Sequence, residues 1–352
     1  MARSPKTPKP NWPAVATAFA ARLSHARLHP DAMLTALAEY DRAKRRGVRP
    51  PRWALAFSGG ADSLALLLLL WAEGPGCWGR DFVVLHFNHR LRGRAANDDE
   101  KFCAQVCSAL DLKFVAGGWR EARSEASEAE ARAARHAFFA REMRRRKLNL
   151  LWLAHQQDDI AETMLMRLAR GSGTSGLAAP RPVQKQADGR LHLRPLLTLK
   201  KAEILAALQA AGAPWREDAS NATDRFLRNR VRRSIVPALA RATGRDTVAA
   251  MALSRDRLQE DDEALEAWLD ELVPLDARRR TLDLSALAGK PRALWRRALH
   301  RWLRATGVET GLARAGFEQL LAAVGRGTDT RFSLGARSFA VVRAGKLSLQ
   351  RT

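Results

Sequence analysis

Between residues 53 and 211 the hydrophobic pattern switches repeatedly between a strand-like and a helix-like period. Residues 53–57 form a short, β-rich apolar run closed by Ser58-Gly59-Gly60. The helix predicted over 61–71 is apolar nearly all round, as a helix buried on every side would be. A second run at 82–87 leads to a helix at 98–110, and a third at 113–116 to a long charged helix at 126–146. A fourth, at 150–154, precedes a helix from about 158 to 168. Residues 191–196 read as a fifth strand before a helix at 200–211, which Gly212 and Pro214 stop. Repeated strand-then-helix order predicts a parallel sheet with helices on both faces. Ligands of such sheets lie beyond the carboxyl ends of the strands, so chemistry is expected in the loops after Phe57, Phe87 and Ala154.

The flanks read differently. Residues 1–50 form a basic helical extension, helical from about 14 to 46 with a break near His29-Pro30. After residue 243 the strand signal fades into helices at 247–272, 290–306 and 312–324, with 331–342 and 346–350 as a candidate terminal hairpin around Ala344-Gly345. The expected division is therefore an extension (1–50), an α/β domain (51–243) and a smaller, mostly α-helical domain (244–352). At 46% hydrophobic and 28% charged, the 352 residues suffice for real cores. Sixty Lys and Arg against 37 Asp and Glu leave a net charge of +23, which points to a polyanionic partner, nucleic acid first. The longest apolar run, 64–72, is far shorter than the roughly 20 residues of a membrane-spanning helix. No apolar signal core follows the basic start, and three cysteines without a CxxC pair give neither a disulfide framework nor a zinc or iron–sulfur site. A cytoplasmic protein is expected.

Ser58-Gly59-Gly60-Ala61-Asp62-Ser63 stands where a strand turns into a helix. The glycines let the backbone approach a ligand closely, and the helix N-terminus favours an anion, ideally phosphate. Ser58 and Ser63 add hydroxyls. Asp62 would repel phosphate unless a cation stood between them, which makes it a candidate Mg²⁺ ligand. The string lacks the Gly-Lys-Ser/Thr ending of a Walker A loop. At the start of the helix after the fourth strand, Asp158, Asp159 and Glu162 are either dipole-compensating caps or, beside a phosphate loop, part of a metal site in which Asp159 pairs with Asp62 or acts as a base. His155 reads equally as a core histidine or a functional one. Arg132 and Arg135 share a helix face as a solvated stripe or a phosphate clamp. Arg225, Arg228, Arg230, Arg232 and Arg233 surround Asn229 without an intervening acid and are expected to contact RNA phosphates. A second basic cluster, Arg141, Arg144, Arg145, Arg146 and Lys147, reads as RNA contact or as helix-end charge.

Ser-Gly-Gly-x-Asp-Ser after the first strand resembles the signature of the PP-loop ATPases, which cleave ATP between the α and β phosphates. The remaining strings narrow the resemblance: Leu85 to Gly93 (LHFNHRLRG), Glu128-x-x-Ala131-Arg132-x-x-Arg135, Ala154 to Thr163 (AHQQDDIAET), Arg170-Gly171-Ser172-Gly173, Arg194-Pro195-Leu196-Leu197, Glu217-Asp218-x-Ser220-Asn221 and Arg228-Asn229-Arg230-Val231-Arg232. In this order they closely resemble the tRNA(Ile)-lysidine synthetase family over residues 53–239, and only loosely beyond 247. The resemblance implies an adenine nucleotide alpha hydrolase-like fold, ATP and Mg²⁺ as cofactors, free L-lysine and CAU-anticodon tRNA(Ile) as substrates, and no protein partner. It also implies ATP contacts from Ser58, Gly59, Gly60, Ala61, Asp62, Ser63, His89, Arg132 and His155, and places Asp62 and Asp159 in catalysis.

Departures are a glutamine, Gln156, where that family usually has a second histidine, His136 where it has an aromatic, a long segment before Trp53, and no extra carboxy-terminal domain, so that tRNA selection is expected to fall to the helical domain. The expected reaction joins lysine to carbon 2 of the wobble cytidine through an adenylated base. The competing readings are a PP-loop tRNA thiolase, for which the cysteines are poorly placed, and a non-catalytic basic RNA-binding protein.

Overall fold

The computed structural model describes residues 10–47, 53–77, 82–91, 93–121, 126–217, 227–273, 281–307, 312–335 and 337–351. Six short strands make the first sheet: β1 (Trp53–Ala56), β2 (Phe82–Asn88), β3 (Lys113–Gly118), β4 (Leu150–Trp152), β5 (Val183–Lys185) and β6 (Leu191–Leu193). Their spatial order is β3-β2-β1-β4-β6-β5, parallel except for β5, which runs antiparallel to β6. β5 was not foreseen, because three residues carry too little periodicity to register. The expected fifth strand is β6, shortened because Pro195 begins a 3₁₀ turn, Pro195–Thr198. The chain leaves β1 towards β2 on one side and returns to β4 on the other. That reversal opens a crevice at the carboxyl ends of β1 and β4.

The strands' two-residue period divides the core. Trp53, Leu55, Phe82, Val84, Leu150 and Trp152 pack on one face, and Ala54, Val83, Leu85 and Leu151 on the other. The helices around them are α1 (Trp12–Arg22), α2 (Pro30–Arg45), α3 (Ala61–Cys77), α4 (Arg94–Ala109), α5 (Glu128–Arg145), α6 (Gln157–Leu168), the single turn α7 (Thr174–Leu177), α8 (Lys201–Ala210), the short α9 (Leu227–Arg230), α10 (Val236–Thr243) and α11 (Thr247–Leu272). A π-helical turn, Val231–Ile235, joins α9 to α10. The first face buries α3, whose Leu64 and Leu66 to Leu70 are all at most 1% exposed, so its middle turns are closed to water. α1 lays Trp12, Ala16 and Phe19, spaced by four and three, onto the same cluster. The second face is covered by Phe138, Phe139 and Met143 of α5.

Two compact units divide the chain, Met1–Arg257 and Leu258–Thr352, and the dividing residue lies within α11. In the second unit α12 (Arg292–Thr306) and α13 (Arg314–Gly325) cover an antiparallel sheet of β7 (Leu282–Asp283), β8 (Thr330–Gly335), β9 (Ser338–Arg343) and β10 (Lys346–Arg351), ordered β7-β10-β9-β8. The expected hairpin is β9–β10, turning at Ala344 and Gly345 with φ of 47° and 72°. The single run expected at 331–342 is two strands, because Gly335 (φ 84°) and Arg337 (φ 56°) reverse the chain. No helix among the described residues is long and apolar enough to cross a membrane.

Gly117 on β3 shows how tightly the α5 face is filled. A Cβ there would lie 2.2 Å from the ring of Phe138, itself 2% exposed and packed 5.4 Å from Phe87. Gly117→Ala is expected to destabilise the fold by about 1–3 kcal/mol, read as a lower urea midpoint at unchanged slope. An unchanged midpoint would mean that this face is looser than described.

Candidate active site

The Ser58–Ser63 loop is held from within. Phe57 N still donates to Leu85 O (2.9 Å), the last bond of the β1 ladder, after which Gly59 takes φ +87°. A Cβ at Gly59 would meet Cys103 Sγ at 3.0 Å, so this position needs glycine both for its dihedral and for room. Ser63 Oγ accepts from Ser58 N (3.2 Å), donates to Gly60 O (3.0 Å) and lies 3.0 Å from Ser58 Oγ. The two hydroxyls expected to face a ligand thus brace the turn. From outside, Arg216 N donates to Gly59 O (3.0 Å) while its guanidinium reaches Asp99 of α4 at 2.7 Å. Arg216 carries no motif signal, and sequence reasoning missed it.

Three carboxylates face the crevice, each engaged by a cation from a distant part of the chain. Asp62, in the first turn of α3, accepts from Lys201 Nζ at 2.8 Å. Burial raises its pKa, Lys201 pulls it back, and the neighbouring Asp159 pushes it up again. Asp159 accepts from Gln156 N at 2.9 Å through Oδ2, closing a capping box at the start of α6, and its Oδ1 accepts from Arg228. Asp159 therefore caps its helix while lying within electrostatic reach of Asp62. Glu162, 1% exposed, accepts from Arg228 Nε (2.7 Å) and from Arg232 Nε (2.5 Å). Burial acts to lower the pKa of Arg228, but Asp159 and Glu162 outweigh it and hold the guanidinium firmly charged. Gln156, 1% exposed, accepts from Asp158 N at 2.6 Å. An amide serves this capping role at the position where the family resemblance leads one to expect histidine.

Around these pairs lies a zone of crowded positive charge. Burial, then Arg132 and Arg228, lower Arg135 to about 10, and burial with Arg132 lowers Arg194 to about 10. Arg132 is lowered by burial and by Arg228. Burial and the same arginines hold His136 at about 4 and keep His155 well below its usual range. His192, stacked on His136 with centroids 5.9 Å apart, is held at about 3 by burial, Arg194 and His136. Guanidinium groups that depress one another's pKa would be relieved by an anion. His155 Nδ1 is buried without a hydrogen-bond partner. His89, at the end of β2, meets Phe87 edge to face with centroids 4.9 Å apart.

The expected residues are thus distributed as follows. Asp159 lies within electrostatic reach of Asp62, Arg132 and Arg228, and His155 within reach of both arginines. Of the arginines expected to meet RNA, Arg228 and Arg232 turn to Asp159 and Glu162, Asn229 is buried between them, and Arg230 and Arg233 remain exposed. Arg225 lies outside the described residues, as do Asp218, Ser220 and Asn221. Arg141, Arg145 and Arg146 share one carboxylate, Glu142. Among the described residues no cluster of three or more His, Cys, Asp or Glu could hold a metal. Asp62 and Asp159 nonetheless fit Mg²⁺, which takes one or two protein carboxylates and completes its shell with water and phosphate oxygens.

Residues 33–239 match the family model of the PP-loop domain. Over 311 residues, 84% of the chain, it is 35% identical to a tRNA(Ile)-lysidine synthase of Solibacter usitatus and covers 67% of that protein. The chain belongs to the tRNA(Ile)-lysidine synthase family. It is also 40% identical over 285 residues (76% of the chain) to the synthase of Geobacter sulfurreducens, and 36% identical over 269 residues (72%) to that of Symbiobacterium thermophilum. It spans 58% and 55% of the length of these two relatives. Among solved structures, a U34-tRNA thiolase from Methanococcus maripaludis shares the fold, with a TM-score of 0.51 at 16% identity over 65% of this chain and 80% of that one.

Arg228→Ala would leave Asp159 and the buried Glu162 short of a partner, an expected loss of about 3–5 kcal/mol, whereas Arg230→Ala at an exposed position should change stability by less than about 0.5 kcal/mol. Equal urea midpoints for the two variants would contradict this inward role.

The histidines set a pH dependence. Unfolded, each titrates near 6.5; folded, His136 and His192 titrate at about 4 and 3. Between these limits the unfolded chain binds protons that the folded one does not, so stability is complete above about pH 6.5 and falls as pH drops. The urea midpoint should be lower at pH 5 than at pH 7, and His192→Gln should flatten that slope; a flat wild-type profile would contradict the assignment.

Proposed function

We propose that this chain is an ATP-dependent ligase that joins free L-lysine to carbon 2 of the wobble cytidine of CAU-anticodon tRNA(Ile), forming lysidine. The observation that carries the reading is the crevice at the β1/β4 reversal, where a glycine-bearing loop, two facing carboxylates and a surplus of guanidinium groups meet in a chain of this family. The triphosphate lies over Ser58–Ser63 against the N-terminus of α3, with Arg132, Arg135 and Arg194 answering its charge. His155, kept neutral by burial and the surrounding arginines, stands nearby as a donor or acceptor, and His89 follows the end of β2. Mg²⁺ would be held by Asp62 and Asp159 and would offset the charge of the phosphates.

Cytosine O2 attacks the α-phosphorus, the bond to the β-phosphate breaks, and pyrophosphate leaves. The lysine ε-amine then forms the bond to carbon 2, the carbon–oxygen bond to the adenylate breaks, and AMP leaves. An amine with a reference pKa near 10.4 must shed a proton first, for which a nearby carboxylate base or a desolvated pocket is needed. The anticodon base reaches the loop by leaving its stack, at small cost in a loop already splayed.

For the tRNA, the exposed Arg230 and Arg233 form one phosphate-contacting set. In the second unit, a groove of about 760 Å³ lined by Trp295, Leu321, Lys290, Arg292 and Arg326 offers a ring for stacking beside three cations, which supports an RNA-contacting role for residues 244–352. A thiolase reading is less favoured: Cys103 and Cys107 are buried, and burial pushes both thiols upward, away from the thiolate that sulfur transfer needs.

Incubation with ATP, L-lysine and tRNA(Ile), followed by nucleoside mass analysis, should give lysidine with equal AMP and pyrophosphate, and no lysidine when lysine is omitted. Asp62→Asn should slow AMP release by about 10²–10³-fold. A sulfur-bearing nucleoside, or full turnover by Asp62→Asn, would overturn the reading.

A further inference from the structure

Lys201 opens α8 and is held by its backbone as well as by its side chain. Its N–H donates to Asp158 Oδ2 at 2.9 Å, and one residue earlier Leu199 O accepts from Gln157 N at 2.8 Å. The first turns of α6 and α8 are therefore stitched together, with Lys200 N bonded to Glu203 Oε2 at 2.9 Å as the cap of α8. From this fixed base the ammonium reaches Asp62 Oδ1 at 2.8 Å. The contact is neither deep nor rigid: the Lys201 side chain is 35% exposed and that of Asp62 26%. An exposed lysine pair of this kind is worth little as a brace for the fold.

Asp62 lies in the first turn of α3, on the helix end that would receive phosphate. An ammonium on Oδ1 and a divalent cation compete for the charge of one carboxylate, and the dication, with twice the charge, is the stronger claimant. When it arrives with its nucleotide, Lys201 is released beside newly placed phosphate oxygens, within the sweep of its four-carbon stem.

We infer that Lys201 is a nucleotide-contacting residue: it neutralises Asp62 while the site is empty and transfers its ammonium to a phosphate oxygen of the bound nucleoside triphosphate. The inference rests on the nucleotide site described under the proposed function. It adds a contact that lies outside the glycine-bearing loop and comes from α8, a helix packed against α3.

The test is calorimetric binding of α,β-methylene ATP with Mg²⁺ to the wild type and to Lys201→Met, Lys201→Gln and Lys201→Arg, with Mn²⁺ alone followed by electron paramagnetic resonance. Losing a charge-assisted contact should weaken analogue binding about 10–100-fold in the Met and Gln variants, and Arg should recover it to within about 3-fold. Mn²⁺ alone should bind the Met variant at least as well as the wild type, because its competitor for Asp62 is gone. Two results would overturn the inference: Met and Gln variants that bind the analogue as the wild type does, or variants that lose Mn²⁺ and analogue in equal measure, as they would if Lys201 only oriented Asp62. A wild type that binds no analogue would overturn the nucleotide site itself. Circular dichroism and melting of each variant separate these outcomes from misfolding.

Discussion

Neutralisation of buried negative charge is the constraint on which this structure depends. Asp62, Asp159 and Glu162 crowd one crevice, and Asp159 and Glu162 are 8% and 1% exposed. Carboxylates there are tolerable only with cations within bonding distance. Arg228 and Arg232 supply them, and in doing so tie α6 to the α9–π segment, while Lys201 of α8 answers the more exposed Asp62. The same arginine pairs that let the site fold leave it lined by both signs of charge.

The sheet is what makes this meeting of charges possible. Because β1 is flanked by β2 and β4, the loop after β1 and the helix after β4 open on the same gap, and the arginines of α5 arrive from the face that α5 covers. Filling is close where the backbone must pass. Gly117 gives way to Phe138, and Gly118 leaves room for the guanidinium of Arg90. Ser58 and Ser63 bond to each other and to the loop's own backbone, which fixes the shape of the loop from within.

Much of this was legible along the chain because it is local. Alternation of period, the Ser-Gly-Gly turn and the acids opening α6 are written within a few consecutive residues, and each found its place. What escaped was settled by partners far apart in sequence. Lys201 meets Asp62 across 139 residues, and Arg228 meets Glu162 across 66. A run of arginines without acids reads as a face for phosphate until the fold brings two buried carboxylates beneath it. Arg216 escaped for the same reason, since its two contacts lie on β1's loop and on α4. Short elements were the other blind spot: β5 and β7 have three and two residues, and pairing rather than pattern makes them strands.

The outer layer formed by α1 carries a practical consequence for handling the molecule. The family model begins at residue 33, yet Trp12, Ala16 and Phe19 are what keep the leucine-rich face of α3 from water. A recombinant fragment trimmed to that homologous start would present a greasy cylinder to solvent, and neighbouring copies would gather on it. Any shortened version made for crystals or for binding work should therefore keep its first helix.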